Sequence, residues 1–469
     1  MTMGISKAVR VLLILGVMVG LASIPTAVAA PNGNPDILTY VETEYDSPGL
    51  DGATAVAISP DGNHVYVASN VDNGVSVFAR NSASGRMTFV HRVTDGDSCG
   101  ASCTIDGLDG ATSVAVSPDG DHVYVAGKDD DAVVVFYRGS TSGMLTYASM
   151  VEDGPVHSEY LDSPRSIAIS PDGEDVYVGS CYDDAIVKFN RNGTTGALTG
   201  AVNYVEGFSG IIGLNCAQSV AATNFNVYAV GLNDDAVLVF DRDTNGYLTY
   251  LETEWDGVNG VNGLDAPRTV VVGGGMVYVS GSEDDAVAVF DIAPSDGQLD
   301  YFTRAENGSL GASGLNGAWG LGISPDGLHV YAGSFHDNAI VTLQYFSFPG
   351  HILFFKGKLV DDAGGVDGID GATSVVVSPD GNHVYVTGVR DDSVAAFQRD
   401  NATGMLTFVA ATDNVDGLDA AWSVAVSPDG GHVYVASAAD DVVSIFNRSQ
   451  TTGAVSFEDV VTDGGLWMA

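Results

Sequence analysis

The segment LDGATSVAVSPDGDHVYVAG, residues 108–127, recurs with small changes along the whole chain. Close copies begin at Leu50 and Ile369 and looser ones at Leu161, Leu214, Leu264, Leu315 and Leu418, which makes eight in all. A period of roughly 50 residues constrains the fold more than any other feature, because one such unit cannot bury its apolar faces alone and must stack on its neighbours.

Each copy has the same internal order: an apolar run such as SVAVS, the turn PDG, a second run HVYVA, an acidic turn, a third run such as DAVVVFYR, a polar Gly-containing turn, and a fourth run such as MLTYASMV. Short Val-, Tyr-, Phe- and Thr-rich runs between turn residues predict four strands per copy and no helix. In SPDG, proline presets its own φ, aspartate bonds the local backbone and glycine takes the positive-φ position. Six copies keep this turn, and ATNFNVY and VGGGMVY replace it in the fourth and fifth. Strands apolar on both faces need a sheet on either side, which radial stacking supplies. The expected fold is therefore all-β: a β-propeller of four-stranded antiparallel blades, eight by repeat count. The tyrosine of the second strand (Tyr66, Tyr124, Tyr177 and their counterparts) and the phenylalanine of the third (Phe78, Phe136, Phe189) read as packing between blades, and the histidine after PDG as a turn residue. LTYVETEYD at Leu38 resembles the outer strand LTYLETEWD at Leu248, giving nine outer strands for eight blades.

Residues 1–30 stand outside the repeat. Lys7 and Arg10, the run VLLILGVMVGLA and the small-residue exit AVAA describe a secretory signal peptide, leaving 31–469 as one propeller domain that is secreted, periplasmic or on the cell surface. No later run is long enough to span a bilayer. The 60 acidic against 18 basic residues give a net charge of −42, which repels nucleic acid and anionic membranes and suits a salty medium. Export favours disulfides for the four cysteines: a local ring between Cys99 and Cys103, and a bridge between adjacent blades from Cys181 to Cys216.

The phrase VAVSPDGxHVYVA…DDAVVVF.R…TGMLTY, carried from about Leu38 to the end, resembles the secreted β-propellers of the lactonase family. These are relatives of 6-phosphogluconolactonase and muconate cycloisomerase, with YVTN-type repeats. The resemblance implies a propeller, with seven blades as the alternative count, and makes lactone-ring hydrolysis a candidate activity. No catalytic residue transfers from it.

The copies differ at the fifth place of LDGATSV, which reads Thr54, Thr112, Arg165, Gln218, Arg268, Trp319, Thr373 and Trp422 around the ring. A position that varies inside a regular repeat is free of the packing common to all blades. Arg165, Gln218, Arg268, Trp319 and Trp422 are therefore the candidate ligand-binding residues: arginine forks onto a carboxylate or phosphate, and tryptophan offers a flat apolar wall. The alternative duty for Arg165 and Arg268 is pairing with the acidic turns at Asp183, Asp184, Asp284 and Asp285, which are also the candidate metal ligands, with Ca²⁺ as the candidate cofactor. His157, in the insertion DGPVHSEY, and His336, in SFHDNA, are histidines that do not recur in the other copies and are the candidate general bases. The sequence has no G-x-S-x-G, H-E-x-x-H, phosphate-loop or dinucleotide motif.

Two functions follow from this reading. The first is a monomeric extracellular binding or surface scaffold for a small anionic or carbohydrate-like ligand or a surface protein. The second is a hydrolase of an anionic sugar or ring lactone, with Arg165 and Arg268 stabilising the oxyanion.

Overall fold

Alternation of β-branched and aromatic residues with tight Gly- and Asp-containing turns produces strands throughout. The computed structural model describes residues 42–45, 50–83, 87–100, 103–156, 159–294, 297–309, 311–346, 352–412 and 417–462, all within one compact unit, Leu38–Ala469. The expected signal segment lies outside the described residues.

Eight four-stranded antiparallel sheets succeed one another in chain order, each running from an innermost strand to an outermost one. The innermost strands are Ala53–Ile58, Ala111–Val116, Pro164–Ile169, Ala217–Ala222, Pro267–Gly273, Ala318–Ile323, Ala372–Val377 and Ala421–Val426, in blades 1 to 8. Each packs beside the next, and the eighth returns to the first, so the ring closes as an eight-bladed propeller. The ninth outer strand has a place as well. Glu42–Tyr45 pairs in parallel with Asp459 to Thr462 and becomes a fifth strand of blade 8.

The core is divided among the blade junctions. Each of eight buried apolar clusters draws residues from two consecutive blades; one joins Tyr66 and Val77 of blade 1 to Val123 and Phe136 of blade 2. The second-strand tyrosines are fully buried there, and the third-strand Phe78, Phe136, Phe240, Phe290 and Phe397 each meet an outer-strand ring edge-on, as Phe78 does with Phe89 at 5.8 Å.

A polar clasp crosses six of the eight junctions. The arginine that ends the third strand of blade 2, Arg138, donates through Nε to Tyr66 Oη of blade 1 (2.8 Å), through Nη2 to Asp61 of the blade 1 PDG turn (2.7 Å), and through Nη1 to Gly120 O of its own turn (2.8 Å). Arg80, Arg191, Arg242, Arg399 and Arg448 repeat the arrangement onto Tyr434, Tyr124, Tyr177, Tyr331 and Tyr385. The histidine after PDG belongs to this clasp and is no exposed turn residue: His64 is buried, with Nδ1 2.8 Å from Arg138 Nη2. Its ring occupies the place of a Cβ at Gly143, whose φ of +71° also favours glycine.

The clasp lapses where the turn does. Blades 4 and 5 lack PDG, and in the blades that follow them Ile292 and Tyr345 replace the arginine. At the second of these junctions the Tyr278 hydroxyl is buried without a hydrogen-bond partner.

Candidate functional site at the channel mouth

The variable residues of the sequence are bulge residues. In blade 3 the pairing passes from Pro164↔Ser180 to Ser166↔Gly179, which leaves Arg165 unpaired. The same skip falls on Thr54, Thr112, Gln218, Arg268 and Trp422, and a wider one takes in Trp319 with Gly320 and Thr373 with Ser374. A bulge removes its residue from the ladder and redirects its side chain, here at the start of every innermost strand.

The eight residues divide by chemistry. Thr54 and Thr112 donate to carbonyls at the start of the next innermost strand, Ala111 O and Pro164 O, both at 3.2 Å. Thr373 donates to Trp422 O at 3.3 Å. These threonines tie neighbouring blades. The larger residues do something else: Arg268 lies over the Trp319 ring with Cζ 4.5 Å from its centre, and Trp319 meets Trp422 edge-to-face at 6.3 Å. Trp319 and Trp422 belong to blades 6 and 8, and they meet because blade 7 presents only Thr373 between them.

The stack extends into two acidic turns. Phe335 lies 5.7 Å from Trp319, and the Arg390 guanidinium sits 4.2 Å above Phe335. Arg390 also donates to Phe335 O (3.0 Å) and to Asp370 Oδ1 (3.2 Å). His336 is exposed and packs edge-on against Phe335 at 5.2 Å. Arg268, Trp319, Phe335 and Arg390 thus form one continuous ladder, with Trp422 and His336 at its sides. A cavity of about 250 Å³ adjoins it, lined by Trp319, Trp422, Leu321, Val375 and the hydroxyl residues around them. Neither Phe335 nor Arg390 stands out by repeat position; the available signal was an aromatic and a cation inside turns that are otherwise acidic.

The other expected residues are placed as follows. Arg165 and Gln218 hold the equivalent bulges of blades 3 and 4, and neither they nor Arg268 are among the residues that line this cavity, which Arg268 reaches only through its stack on Trp319. Arg165 Nε is buried without a hydrogen-bond partner. Among the described residues neither Arg165 nor Arg268 forms an ion pair with Asp183, Asp184, Asp284 or Asp285, whose carboxylates cap backbone instead, although Glu283 of the blade 5 turn acts on Arg268 electrostatically. Asp183 accepts from Asp162 N (2.7 Å), Asp184 from Cys216 N (2.8 Å), Asp284 from Gly263 N (2.9 Å) and Asp285 from Gly317 N (2.9 Å). Arg268 Nε donates to Ser282 Oγ at 3.2 Å, and burial lowers its pKa from the ordinary arginine value.

The candidate metal ligands Asp183, Asp184, Asp284 and Asp285 sit in turns of blades 3 and 5 and do not come together as one set. Among the described residues the carboxylates within reach of a shared cation are Asp95 with Asp106 and Asp130, and Asp361 with Asp367 and Asp391. His157 lies outside the described residues. Both expected disulfides form: Cys99–Cys103, and Cys181–Cys216 between blades 3 and 4 on the face of the candidate site.

Comparison with known proteins gives the fold a family. The lactonase family, described as a 7-bladed beta-propeller, matches residues 43–212 and 356–466. A 6-phosphogluconolactonase of Formosa agariphila is 30% identical over 90 residues, a stretch that spans only 24% of that relative and 19% of this chain. The periplasmic gluconolactonase of Pseudomonas aeruginosa superposes with a TM-score of 0.51 at 19% identity, covering 72% of this chain and 92% of the other. Sqt1 of Saccharomyces cerevisiae superposes with a TM-score of 0.60 at 13% identity, over 87% and 98%, so at this level the likeness is one of fold. The unmatched segment, 213–355, holds blades 4 to 6, where the PDG turn and the clasp lapse and where Gln218, Arg268 and Trp319 reside. With two stretches matched across most of its repeats, the chain belongs to the lactonase family of β-propellers, built here with eight blades.

Proposed function

We propose that the protein is an exported lactone hydrolase whose site is the channel mouth around Arg268. The observation that carries this reading is the unpaired cation chemistry of the mouth. In a chain with 18 basic residues, six arginines are spent on clasps, yet Arg268 keeps both Nη groups without an acceptor among the described residues. Family membership and the names of the relatives support hydrolysis over the surface scaffold that regularity of the repeat suggested.

In the proposed reaction a water oxygen bonds to the lactone carbonyl carbon, the ring C–O bond breaks, and the ring oxygen leaves as the hydroxyl of a hydroxy acid. Arg268 carries the negative charge that develops on the carbonyl oxygen. His336 takes the proton of the attacking water and returns one to the departing oxygen. Arg165 supplies a second cation on the ring for an anionic substrate. The two disulfides suit an oxidising compartment, as does the periplasmic relative.

The test is pH-stat hydrolysis of sugar and aliphatic lactones by the purified chain beside an Arg165→Ala/Arg268→Ala variant. Turnover that vanishes in a folded variant is the expected result. Turnover equal in both proteins would remove the channel mouth from the chemistry, and none in either would remove the hydrolase.

A further inference from the structure

We propose that the groove between the outermost strands of blades 1 and 2, under the Cys99–Cys103 hairpin, binds a small organic cation with an apolar body. The groove is at the rim of the disc, shares no lining residue with the channel-mouth cavity and stands apart from the chemistry proposed there.

An insertion builds it. At four junctions the first residue of the repeat donates its N–H to the acid that follows the preceding outer strand, across a sequence separation of 8: Leu161 to Asp153, Leu214 to Glu206, Leu264 to Asp256 and Ile369 to Asp361. After blade 1 the same bond, Leu108 N to Asp95, spans 13. The extra chain forms a small hairpin, Ser98–Gly100 against Cys103–Thr104, closed by the disulfide. A ring closed over so few residues restrains little of the unfolded chain, so its effect is local: it holds the hairpin over the groove.

The groove has a volume of about 440 Å³ and opens to solvent. Its floor is Val93, Ile105 and Leu145, buried members of the cluster that joins blades 1 and 2. Tyr147 adds an aromatic ring, held edge-on to Phe136 at 6.5 Å. Asp97 adds the charge. One of its oxygens accepts from Thr94 N at 2.9 Å, and the other accepts no hydrogen bond among the described residues. His91 also lines the groove, and burial outweighs the nearby Asp97 and lowers its pKa, so the imidazole is neutral at pH 7. Among the described residues no lysine or arginine lines it.

This lining selects by charge first. A carboxylate with no cation opposite it disfavours anions, and the net charge of −42 concentrates cations at the surface. An ammonium at Asp97 gains a charge-assisted hydrogen bond. Asp97 is exposed, however, so that pair contributes at most about 1 kcal/mol. The apolar floor and Tyr147 supply the rest by taking the ligand's carbon body out of water, so a bare ammonium or metal ion gains little here.

Isothermal titration at low salt with 2-phenylethylammonium, 2-phenylethanol, 3-phenylpropionate and methylammonium tests the proposal. The phenylethylammonium ion should bind saturably, about fivefold tighter than phenylethanol and about tenfold tighter than methylammonium, and phenylpropionate should not bind. Asp97→Asn keeps an oxygen for Thr94 N and should erase the margin over phenylethanol. Thr146→Lys puts a cation at an exposed lining position and should abolish binding of the ammonium with the melting temperature unchanged. Replacing Cys99 and Cys103 with serine should weaken phenylethylammonium severalfold, again with the fold retained. Methylammonium binding as tightly as phenylethylammonium would reduce the site to a counterion patch and overturn the proposal. Affinity untouched by Asp97→Asn, or no saturable binding to the unaltered protein, would overturn it as well.

Discussion

Arg138 Nε donates to the Tyr66 hydroxyl at 2.8 Å across the junction of blades 1 and 2. The same hydroxyl donates onward to Gly143 O, so one tyrosine oxygen joins a strand end and an outer turn of the neighbouring blade.

Removing that hydroxyl should therefore cost stability where the clasp is complete and not where it is absent. Tyr66→Phe is expected to lower stability by about 1–2 kcal/mol, because it leaves a buried guanidinium N–H unpaired. Tyr278→Phe should be neutral or stabilising, since its hydroxyl is buried with no partner. Thermal unfolding of the two variants beside the unaltered protein decides it. Equal losses would mean that the clasp contributes nothing beyond packing.

Stability should peak on the acid side of neutrality. Burial, and then the facing carboxylates Asp131 and Asp183, push Asp162 up to about 6, and burial with Asp391 does the same to Asp361. Groups raised in this way hold extra protons in the folded state, so their contribution is complete below the unfolded value near 4 and is lost as pH rises through 6. The clasp aspartates run the other way. Burial alone would raise Asp119, but hydrogen bonds from Ser117 and Arg191 outweigh it and hold the group at about 2. That contribution is present above pH 4 and disappears as pH falls toward 2. The melting temperature should be highest near the unfolded carboxylate value, about pH 4, and fall on both sides. A flat profile from pH 5 to 8 would contradict the raised values, and added salt should lift the melting temperature at pH 8 by screening the exposed carboxylates.

Within the proposed site the two arginines should be unequal. Arg268→Ala removes a guanidinium stacked on Trp319 beside the cavity and is expected to lower kcat/KM for an anionic lactone by at least a hundredfold. Arg165→Ala, on blade 3 and outside the Trp319 stack, should act mainly on KM. Steady-state kinetics of both single variants separate the roles, and a larger kcat loss for Arg165→Ala would move the reacting centre to blade 3.

The Cys181–Cys216 bridge closes a loop with a sequence separation of 35. Replacing both cysteines with alanine should destabilise the chain by about 3–4 kcal/mol on the loop-entropy scale. The Cys99–Cys103 pair closes a loop of only 4 and should contribute far less. Denaturant titration of the two double variants gives the comparison; equal shifts would argue against an entropic origin.

Repetition makes the architecture legible in the sequence: eight copies, four strands each, turns with known geometry. It also marked the variable ring, because regularity exposes departures from itself. The same logic hid the clasp. Arg80, Arg138 and their counterparts recur like the tyrosines, but only the fold reveals that an arginine of one blade reaches the aspartate, tyrosine and histidine of the blade before it. Phe335 and Arg390 were hidden for a different reason. They occupy the first two places of the acidic turns, which vary from blade to blade while the Asp or Asn pair after them recurs, and their stacking on Trp319 depends on how far blade 6 and blade 7 turns lean toward the channel. The pairing of Cys181 with Cys216 was accessible because both belong to segments with fixed places in the repeat.

The bulge at the head of each innermost strand has an evolutionary consequence. A residue outside the hydrogen-bond ladder can be exchanged without disturbing register, so the ring behaves as eight selector positions on a fixed chassis, coupled where neighbours such as Trp319 and Trp422 touch. Thr54 and Thr112 are set to the default that fastens blades, while Arg268, Trp319 and Trp422 are set to chemistry. New specificities on this scaffold can arise one substitution at a time, with little loss of foldability along the way.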